Sequence, residues 1–185
     1  VSMRWIYDVQ ASWTITVPKD LSSYKAYSFW VYVPENAVGD TFYIYFPADG
    51  TNWVITAQDV HGPWSEPIDL KIKGIDPGLV VTPEGKRYLF TNMGNVTPLT
   101  DDGLARAGET KRVYTGWKYP AEWATECGCL ESPKLIYHNG YYYMTSAMGG
   151  TAGPATSHMA VCARAKDIYG LYSTAYVAES LDKIE

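Results

Sequence analysis

Residues 131–144, with the sequence ESPKLIYHNGYYYM, place an Asn-Gly pair between two apolar runs. Asn139-Gly140 at this position is a strong hairpin signal, because a type I′ turn requires positive φ angles at both central residues. The segment that follows, Tyr141–Ala147, is rich in aromatic residues, which is typical of a strand. The stretch therefore predicts a β-hairpin that begins close to an acidic residue, Glu131.

Similar short segments recur along the chain. They are aromatic or β-branched and are bounded by Gly, Pro, Asn or Asp, which is the pattern of strands. Long segments of helical period are missing, so the predicted class is all-β. The further predicted strands are Trp5–Gln10, Trp13–Val17, Thr41–Phe46, Trp53–Gln58, Arg87–Thr91, Lys111–Tyr114 and Met159–Arg164.

The strands belong to an internal repeat in which each copy starts with a proline beside an acidic residue. The three copies begin at Pro34-Glu35, Asp76-Pro77 and Glu131-Ser132-Pro133, and the longer second copy predicts a long loop at Asn92–Glu109. Units of four short strands, spaced at about 40–50 residues, are typical of β-propeller blades. The sequence therefore predicts one β-propeller domain over residues 1–185, with about three to four blades.

The recurring acids predict a functional centre. Equivalent positions on the innermost strands of a propeller point at its axis, so Glu35, Asp76 and Glu131 are expected to converge on one funnel. Converging carboxylates raise one another's pKa, and this keeps a carboxylic acid protonated for general acid catalysis near neutral pH. The alternative is that all three are solvated loop acids.

Composition excludes several classes of partner. The chain has 185 residues, a net charge of −5 and 46% hydrophobic residues. A run of basic residues is missing, which argues against nucleic acid. The apolar runs are far shorter than the roughly 20 residues of a membrane-spanning helix, so no membrane partner is expected. The high aromatic content, 15%, fits either a β-rich core or sugar stacking.

The three cysteines are expected to be free thiols. Cys127 and Cys129 are separated by one residue, which disfavours a disulfide given the geometry of the bond. Their spacing and the absence of a second Cys or His pair do not match a zinc site, so no metal-ligating residue is predicted.

Three segments together resemble glycoside hydrolase family 43. Residues 131–144 and their continuation at Ser146–Thr151 and Ala163–Gly170 are similar to the general-acid blade of that family. Ile75–Gly78 resembles its second acidic motif, and Phe29–Glu35 is a looser match. The resemblance implies a five-bladed propeller that hydrolyses arabinosides, xylosides or galactosides with inversion of configuration.

The resemblance also implies roles for the acids. Glu131 would be the general acid, and Asp76 would be the carboxylate that positions Glu131 and tunes its pKa. The general base of the family is an Asp in an Asp-Pro motif near the start of the domain, and residues 1–28 contain no such motif. The chain is therefore expected to be the middle of a family member, without a last blade and inactive by itself. Its open blade faces predict a homo-oligomer or a complementing fragment.

Substrate contacts are predicted from the loop before the general acid. Trp117 and Trp123 would form a stacking platform for a sugar ring, or would instead pack under the loop. Glu35 and Thr151 are also assigned to substrate binding, with an oligosaccharide or polysaccharide as substrate. The resemblance implies one candidate cofactor, a calcium ion on the axis of the complete propeller. The expected location is secreted or periplasmic, with the cytoplasm as the alternative.

Two other functions remain open. Thr125-Glu126-Cys127 is similar to the Glu-Cys motif of fructan-cleaving relatives in the same propeller clan, although Glu131 with its Ser-Pro fits the general acid better. A non-catalytic carbohydrate-binding propeller, or an inactive fragment, would use the same acidic and aromatic funnel.

Overall fold

The fold consists of antiparallel strands joined in chain order. The computed structural model describes residues 41–59, 61–150, 159–170 and 173–178. The first sheet contains β1 (Phe42–Ala48), β2 (Thr51–Ala57) and β3 (Ile68–Lys73). The second contains β4 (Gly78–Val81), β5 (Arg87–Thr91), β6 (Asn95–Pro98) and β7 (Lys111–Arg112). The third contains β8 (Leu130–His138), β9 (Tyr141–Met148), β10 (Met159–Ala165) and β11 (Ser173–Ala178).

Each sheet is a meander in which every strand pairs with the next one along the chain. Sequential four-stranded meanders are the blades of a β-propeller, so the predicted all-β propeller is confirmed. The described residues form two four-stranded blades, and the first sheet has three described strands. No helix within these residues is long and apolar enough to cross a membrane.

The hairpin of the third sheet has the predicted geometry. Asn139 and Gly140 have φ angles of 48° and 80°, and His138 pairs with Tyr141 across the turn. Positive φ at both central residues is the requirement of a type I′ turn. The predicted strands Trp5–Gln10 and Trp13–Val17 lie outside the described residues.

The prediction of a long loop at Asn92–Glu109 is wrong for residues 92–98. A 3₁₀ turn at Asn92–Gly94 leads directly into β6, which pairs with β5 along its whole length. The predicted strand Lys111–Tyr114 is shortened to β7. Val113 N still donates a hydrogen bond of 2.9 Å to the carbonyl oxygen of Gly94, and the side chains of Val113 and Tyr114 are buried in the core. β6 is only four residues long and ends in proline, so its pairing with β5, rather than its own composition, makes it a strand.

Two hydrophobic clusters lie on opposite sides of the second sheet. Leu89 and Phe90 are adjacent in β5 and both have no exposed surface. Leu89 packs with residues of the first sheet such as Val54, whereas Phe90 packs with residues of the third such as Met144. Successive residues of a strand point to opposite faces, so β5 is buried on both faces between its neighbours. This packing fixes the strand ends at which the acidic residues lie.

Candidate functional site

Asp76 lies where the chain passes from the first sheet to the second, just before β4. The residue is buried, with 7% of its surface exposed. The preceding residue, Ile75, donates its N–H to Asn92 Oδ1 at 3.2 Å and accepts a hydrogen bond from Asn92 N at 3.0 Å. Asn52 Nδ2 donates to the carbonyl oxygen of Gly74 at 3.1 Å. Side chains from both sheets therefore hold the segment that carries Asp76.

The backbone has the same unusual conformation at two places in the site. Asp76 and Ser132 have φ angles of 57° and 51°, and each directly precedes a fully buried proline, Pro77 or Pro133. The residue before a proline normally adopts an extended conformation, so both positions carry local strain. By this correspondence Ser132, and not Glu131, is the counterpart of Asp76. The predicted equivalence of the two acids is therefore wrong by one residue.

Glu131 nevertheless lies beside Asp76. It is a half-buried residue of β8 that pairs with Ala147 of β9, and the pairing of the two strands is irregular between Glu131 and Lys134. Such an irregularity bends a strand and redirects its side chains. The next amide, Ser132 N, donates a hydrogen bond of 3.2 Å to Asp76 Oδ2. The second and third sheets thus bring these two predicted acids together.

The electrostatics of the site favour a protonated Glu131. Partial burial is the main cause that raises the pKa of Glu131, and the negative charges of Asp76 and Glu126 raise it further. Burial lowers the pKa of the Lys134 ammonium, while the nearby Asp76 carboxylate acts in the opposite direction. A carboxyl group with a raised pKa keeps its proton at higher pH, so it can act as a general acid.

Sequence reasoning missed two charged members of the site. Lys134 is a half-buried lysine of β8 within the field of Asp76, and its sequence signal is only its place next to Pro133. In the sequence, Glu126 belongs only to the fructan-type motif, although its charge acts on Glu131. Asp76 belongs to a segment far away along the chain, and only the packing of the second sheet against the third brings it near Glu131 and Lys134.

The cysteine prediction is wrong for one pair. Cys127 and Cys129 form a disulfide, whereas Cys162 is a half-buried free thiol. The Cα atoms of the pair are 5.2 Å apart, which is within the usual range for disulfides. A separation of one residue therefore does not prevent the bond once the chain bends. The bond closes a small loop directly before β8.

Aromatic side chains of the preceding loop form a cluster. Trp117 packs edge to face against Trp123, with ring centres 5.6 Å apart, and lies 6.4 Å from the ring of Tyr119. The Tyr119 hydroxyl group forms a 3.1 Å hydrogen bond with Thr125 Oγ1. All three rings are partly buried against the core between the second and third sheets. The cluster therefore has a packing role, and sugar stacking by Trp117 and Trp123 stays a prediction.

Other predicted site features are not described by the structure. Glu35 and Thr151 lie outside the described residues. Within the described ranges, no three His, Cys, Asp or Glu side chains group closely enough to hold a metal ion. The calcium ion that the resemblance implies for the complete propeller stays a prediction.

Comparisons with known proteins match this fold and these motifs. The model of "Glycosyl hydrolases family 43" matches residues 19–184. A xylan 1,3-β-xylosidase from a Vibrio species is 32% identical over 166 residues, which cover 77% of this chain and 29% of the relative. A xylosidase/arabinosidase from Humicola insolens is 31% identical over 137 residues, covering 67% of this chain and 23% of that protein.

Solved structures agree with the sequence relatives. The family 43 protein BlXynB from Bacillus licheniformis superposes with a TM-score of 0.61 at 27% identity, over 76% of this chain and 28% of that one. This chain thus spans less than a third of the length of these relatives. The family model covers most of the sequence, including both acidic motifs, and the described sheets superpose on a solved family structure. The chain therefore belongs to glycosyl hydrolases family 43.

Proposed function

We propose that the complete protein containing this chain is an inverting glycosidase that releases xylosyl or arabinosyl residues, with Glu131 as its general acid. The observation that carries the proposal is the position of Glu131 next to the hydrogen bond between Ser132 N and Asp76. The amide next to Glu131 is bonded to Asp76, and burial together with the Asp76 charge raises the pKa of Glu131. The relatives are named as xylosidases and xylosidase/arabinosidases, which supports these sugars over galactosides.

The reaction follows from the chemistry of the pair. Protonated Glu131 donates its proton to the glycosidic oxygen while the bond from that oxygen to the anomeric carbon breaks. The leaving group departs as a neutral alcohol. A water molecule, deprotonated by a second carboxylate about 6.5–9.5 Å from the acid, attacks the opposite face of the sugar and inverts its configuration. That base is assigned to no residue described here.

Asp76 has two tasks in this scheme. Its Oδ2 accepts the Ser132 amide, which holds the backbone beside Glu131 in place. Its negative charge also disfavours ionisation of Glu131, so that Glu131 still holds its proton when substrate binds. Around this pair, Trp117, Trp123, Glu35 and Thr151 are proposed to contact an oligosaccharide or polysaccharide chain.

The disulfide bears on the location of the protein. Disulfides form and persist mainly in oxidising compartments outside the cytoplasm. The Cys127–Cys129 bond therefore supports the proposal that the protein is secreted or periplasmic, where plant-type polysaccharides are encountered. Fractionation of the native host, followed by immunodetection, tests this location.

Comparison of two leaving groups in the complete protein tests the proposed acid. Glu131→Gln is expected to reduce hydrolysis of xylobiose by about 10²–10⁴-fold, since its alkoxide leaving group needs a proton. Hydrolysis of 4-nitrophenyl β-xyloside should fall much less, because nitrophenolate leaves without protonation. Glu122→Gln, an exposed acid in the loop before β8, is the matched control and should leave both rates unchanged.

Three results would contradict the proposal in different ways. An equal loss on both substrates would show that Glu131 is not the proton donor. Binding of xylo-oligosaccharides without hydrolysis by the unmodified protein would indicate a carbohydrate-binding propeller. Cleavage of fructans that depends on Glu126 would support the fructan-cleaving alternative.

A further inference from the structure

The residue before Asp76 is clamped by one residue at the end of β5, Asn92. Asn92 Oδ1 accepts a hydrogen bond of 3.2 Å from Ile75 N, and Asn92 N donates one of 3.0 Å to the carbonyl oxygen of Ile75. Both backbone polar groups of Ile75 are therefore bonded to one residue, which lies 17 positions further along the chain. The two bonds orient the planar peptide groups on both sides of Ile75, so they fix the direction in which the chain enters Asp76.

A glycine makes room for the Asn92 side chain. Gly74 has a φ of +106°, and a Cβ atom placed on it would lie 2.9 Å from Asn92 Oδ1 and 2.9 Å from the side chain of Thr91. Such distances are steric overlaps. A side chain at position 74 would push the Asn92 amide away from Ile75, so the clamp depends on this glycine.

Asn92 is itself held in a tight turn. It begins the 3₁₀ turn Asn92–Gly94, and Asn95 Nδ2 donates a hydrogen bond of 3.0 Å to the carbonyl oxygen of Asn92. Thr91, the preceding residue, is fully buried and pairs with Asn95 across the turn. The turn also packs against β8, the strand that carries Glu131. The Asn92 amide therefore has a fixed position relative to both the second and the third sheet.

Asp76 needs this support because its backbone is strained. Its φ is 57° and it directly precedes Pro77, a position at which an extended conformation is favoured. A strained conformation persists only where the surrounding contacts over-determine it. The clamp holds Asp76 from its N-terminal side, while Asp76 Oδ2 accepts the 3.2 Å hydrogen bond from Ser132 N. Release of the clamp would let the backbone relax and would move the carboxylate away from Ser132.

We infer that Asn92 is a positioning residue for Asp76: its amide oxygen and its backbone N–H hold Ile75 so that Asp76 Oδ2 stays bonded to Ser132 N. The effect on hydrolysis rests on the proposed roles of Asp76 and Glu131, whereas the effect on the hydrogen bond does not. The acceptor oxygen is the part of the side chain that matters. Asn92→Asp should therefore preserve the clamp, and Asn92→Leu, which has a similar size but no acceptor, should release it.

Hydrogen–deuterium exchange of the Ser132 amide tests the inference in the complete protein without any need for catalysis. Exchange is followed by mass spectrometry with fragmentation of the labelled peptides. Pro133 has no amide hydrogen, so a fragment of residues 132–133 reports the Ser132 amide. In Asn92→Leu this amide is expected to exchange about tenfold faster, the effect of losing one hydrogen bond. In Asn92→Asp it should exchange at nearly the original rate.

Two control variants separate positioning from other effects. Gln58→Leu removes a side-chain amide that is hydrogen-bonded to Thr41 at the other end of the first sheet. Val161→Ala removes buried methyl groups from the third sheet and lowers stability without touching the clamp. Both should leave the exchange rate of the Ser132 amide unchanged. If Asn92→Leu does not fold, Asn92→Ala provides the same comparison with Asn92→Asp.

Kinetics of the complete protein give a second readout. Asn92→Leu should lower kcat for xylobiose by about tenfold with little change in KM, because Asn92 acts through Asp76 and not on the bound substrate. The alkaline limb of the pH–rate profile should move to lower pH, since a displaced Asp76 carboxylate disfavours ionisation of Glu131 less strongly. Asn92→Asp should restore both quantities towards those of the unmodified protein.

An unchanged Ser132 exchange rate in Asn92→Leu would overturn the inference, as would equal acceleration in Asn92→Asp or in either control. The exchange result is independent of hydrolysis. If exchange behaves as expected but the complete protein hydrolyses no glycoside, the proposed function fails and the positioning role of Asn92 stands. If hydrolysis depends on Glu131 but the exchange rate of Ser132 does not respond to Asn92→Leu, only the role of Asn92 fails.

Discussion

The backbone amide of Ser132 donates a 3.2 Å hydrogen bond to Oδ2 of Asp76 and so joins the third sheet to the second at the site. The two residues are 56 positions apart in the chain. Each has a left-handed backbone conformation before a buried proline. The contact therefore couples two strained turns, and it places Glu131 next to a second carboxylate.

Replacing Asp76 by Asn should weaken the general acid without breaking this contact. The amide oxygen of Asn can still accept the Ser132 amide, but the negative charge that raises the pKa of Glu131 is lost. The pKa of Glu131 should therefore fall, and the alkaline limb of the pH–rate profile of the complete enzyme should move to lower pH. Asp101→Asn, which alters an exposed ion pair with Lys86, is the control. An unchanged profile in Asp76→Asn would contradict this role.

Ionisation of the Glu131 side chain should lower the free energy of unfolding at neutral pH. Its folded-state pKa is raised above the unfolded value of about 4.3, so the folded state binds the proton more tightly. Stability is therefore lost as pH rises from the unfolded pKa through the folded one. Glu131→Gln should unfold at higher urea concentration than the unmodified chain at pH 8, with a smaller difference at pH 4. A constant difference at both pH values would show that ionisation of Glu131 is not the cause.

The left-handed conformation of Ser132 predicts a steric limit at this position. Ser132→Val should lower the free energy of unfolding by about 1–2 kcal/mol, because a β-branched residue is disfavoured at positive φ. Ser132→Gly should not show this loss, since glycine adopts positive φ without steric cost. Urea denaturation measures both, with His138→Val at the exposed end of β8 as the control. Equal stability of the Val and Gly variants would rule out backbone strain at Ser132.

The two-sided burial of β5 predicts that both of its central residues are structurally essential. Leu89→Ala should cost about 2–5 kcal/mol of unfolding free energy and Phe90→Ala about 3–5 kcal/mol, because each leaves a cavity in a different cluster. Ile136→Ala, at a side chain that is 46% exposed, should cost much less. If only one of the two β5 variants were destabilised, the second sheet would not be packed on both faces.

The fold could be predicted from the sequence where the conformational preferences of neighbouring residues specify a turn or a strand. Asn139-Gly140 supplies the positive φ angles of a type I′ turn, and the aromatic segments on either side have the composition of strands. The family resemblance rested on residues near Glu131 and Asp76, and the match over residues 19–184 confirms it. By contrast, β4 and β6 are four residues long and become strands through pairing with β5. Composition alone could not identify them.

The sequence by itself determined which residues carry the candidate chemistry, because Glu131 and Asp76 lie in recognisable motifs beside prolines. Only the tertiary structure decided how these residues meet. The offset between the two turns, the Cys127–Cys129 bond and the hydrogen bond from Ser132 N to Asp76 depend on contacts between segments that are distant along the chain or bent in three dimensions. Charge interactions and burial depend on distance through space, and spacing along the chain does not contain that distance.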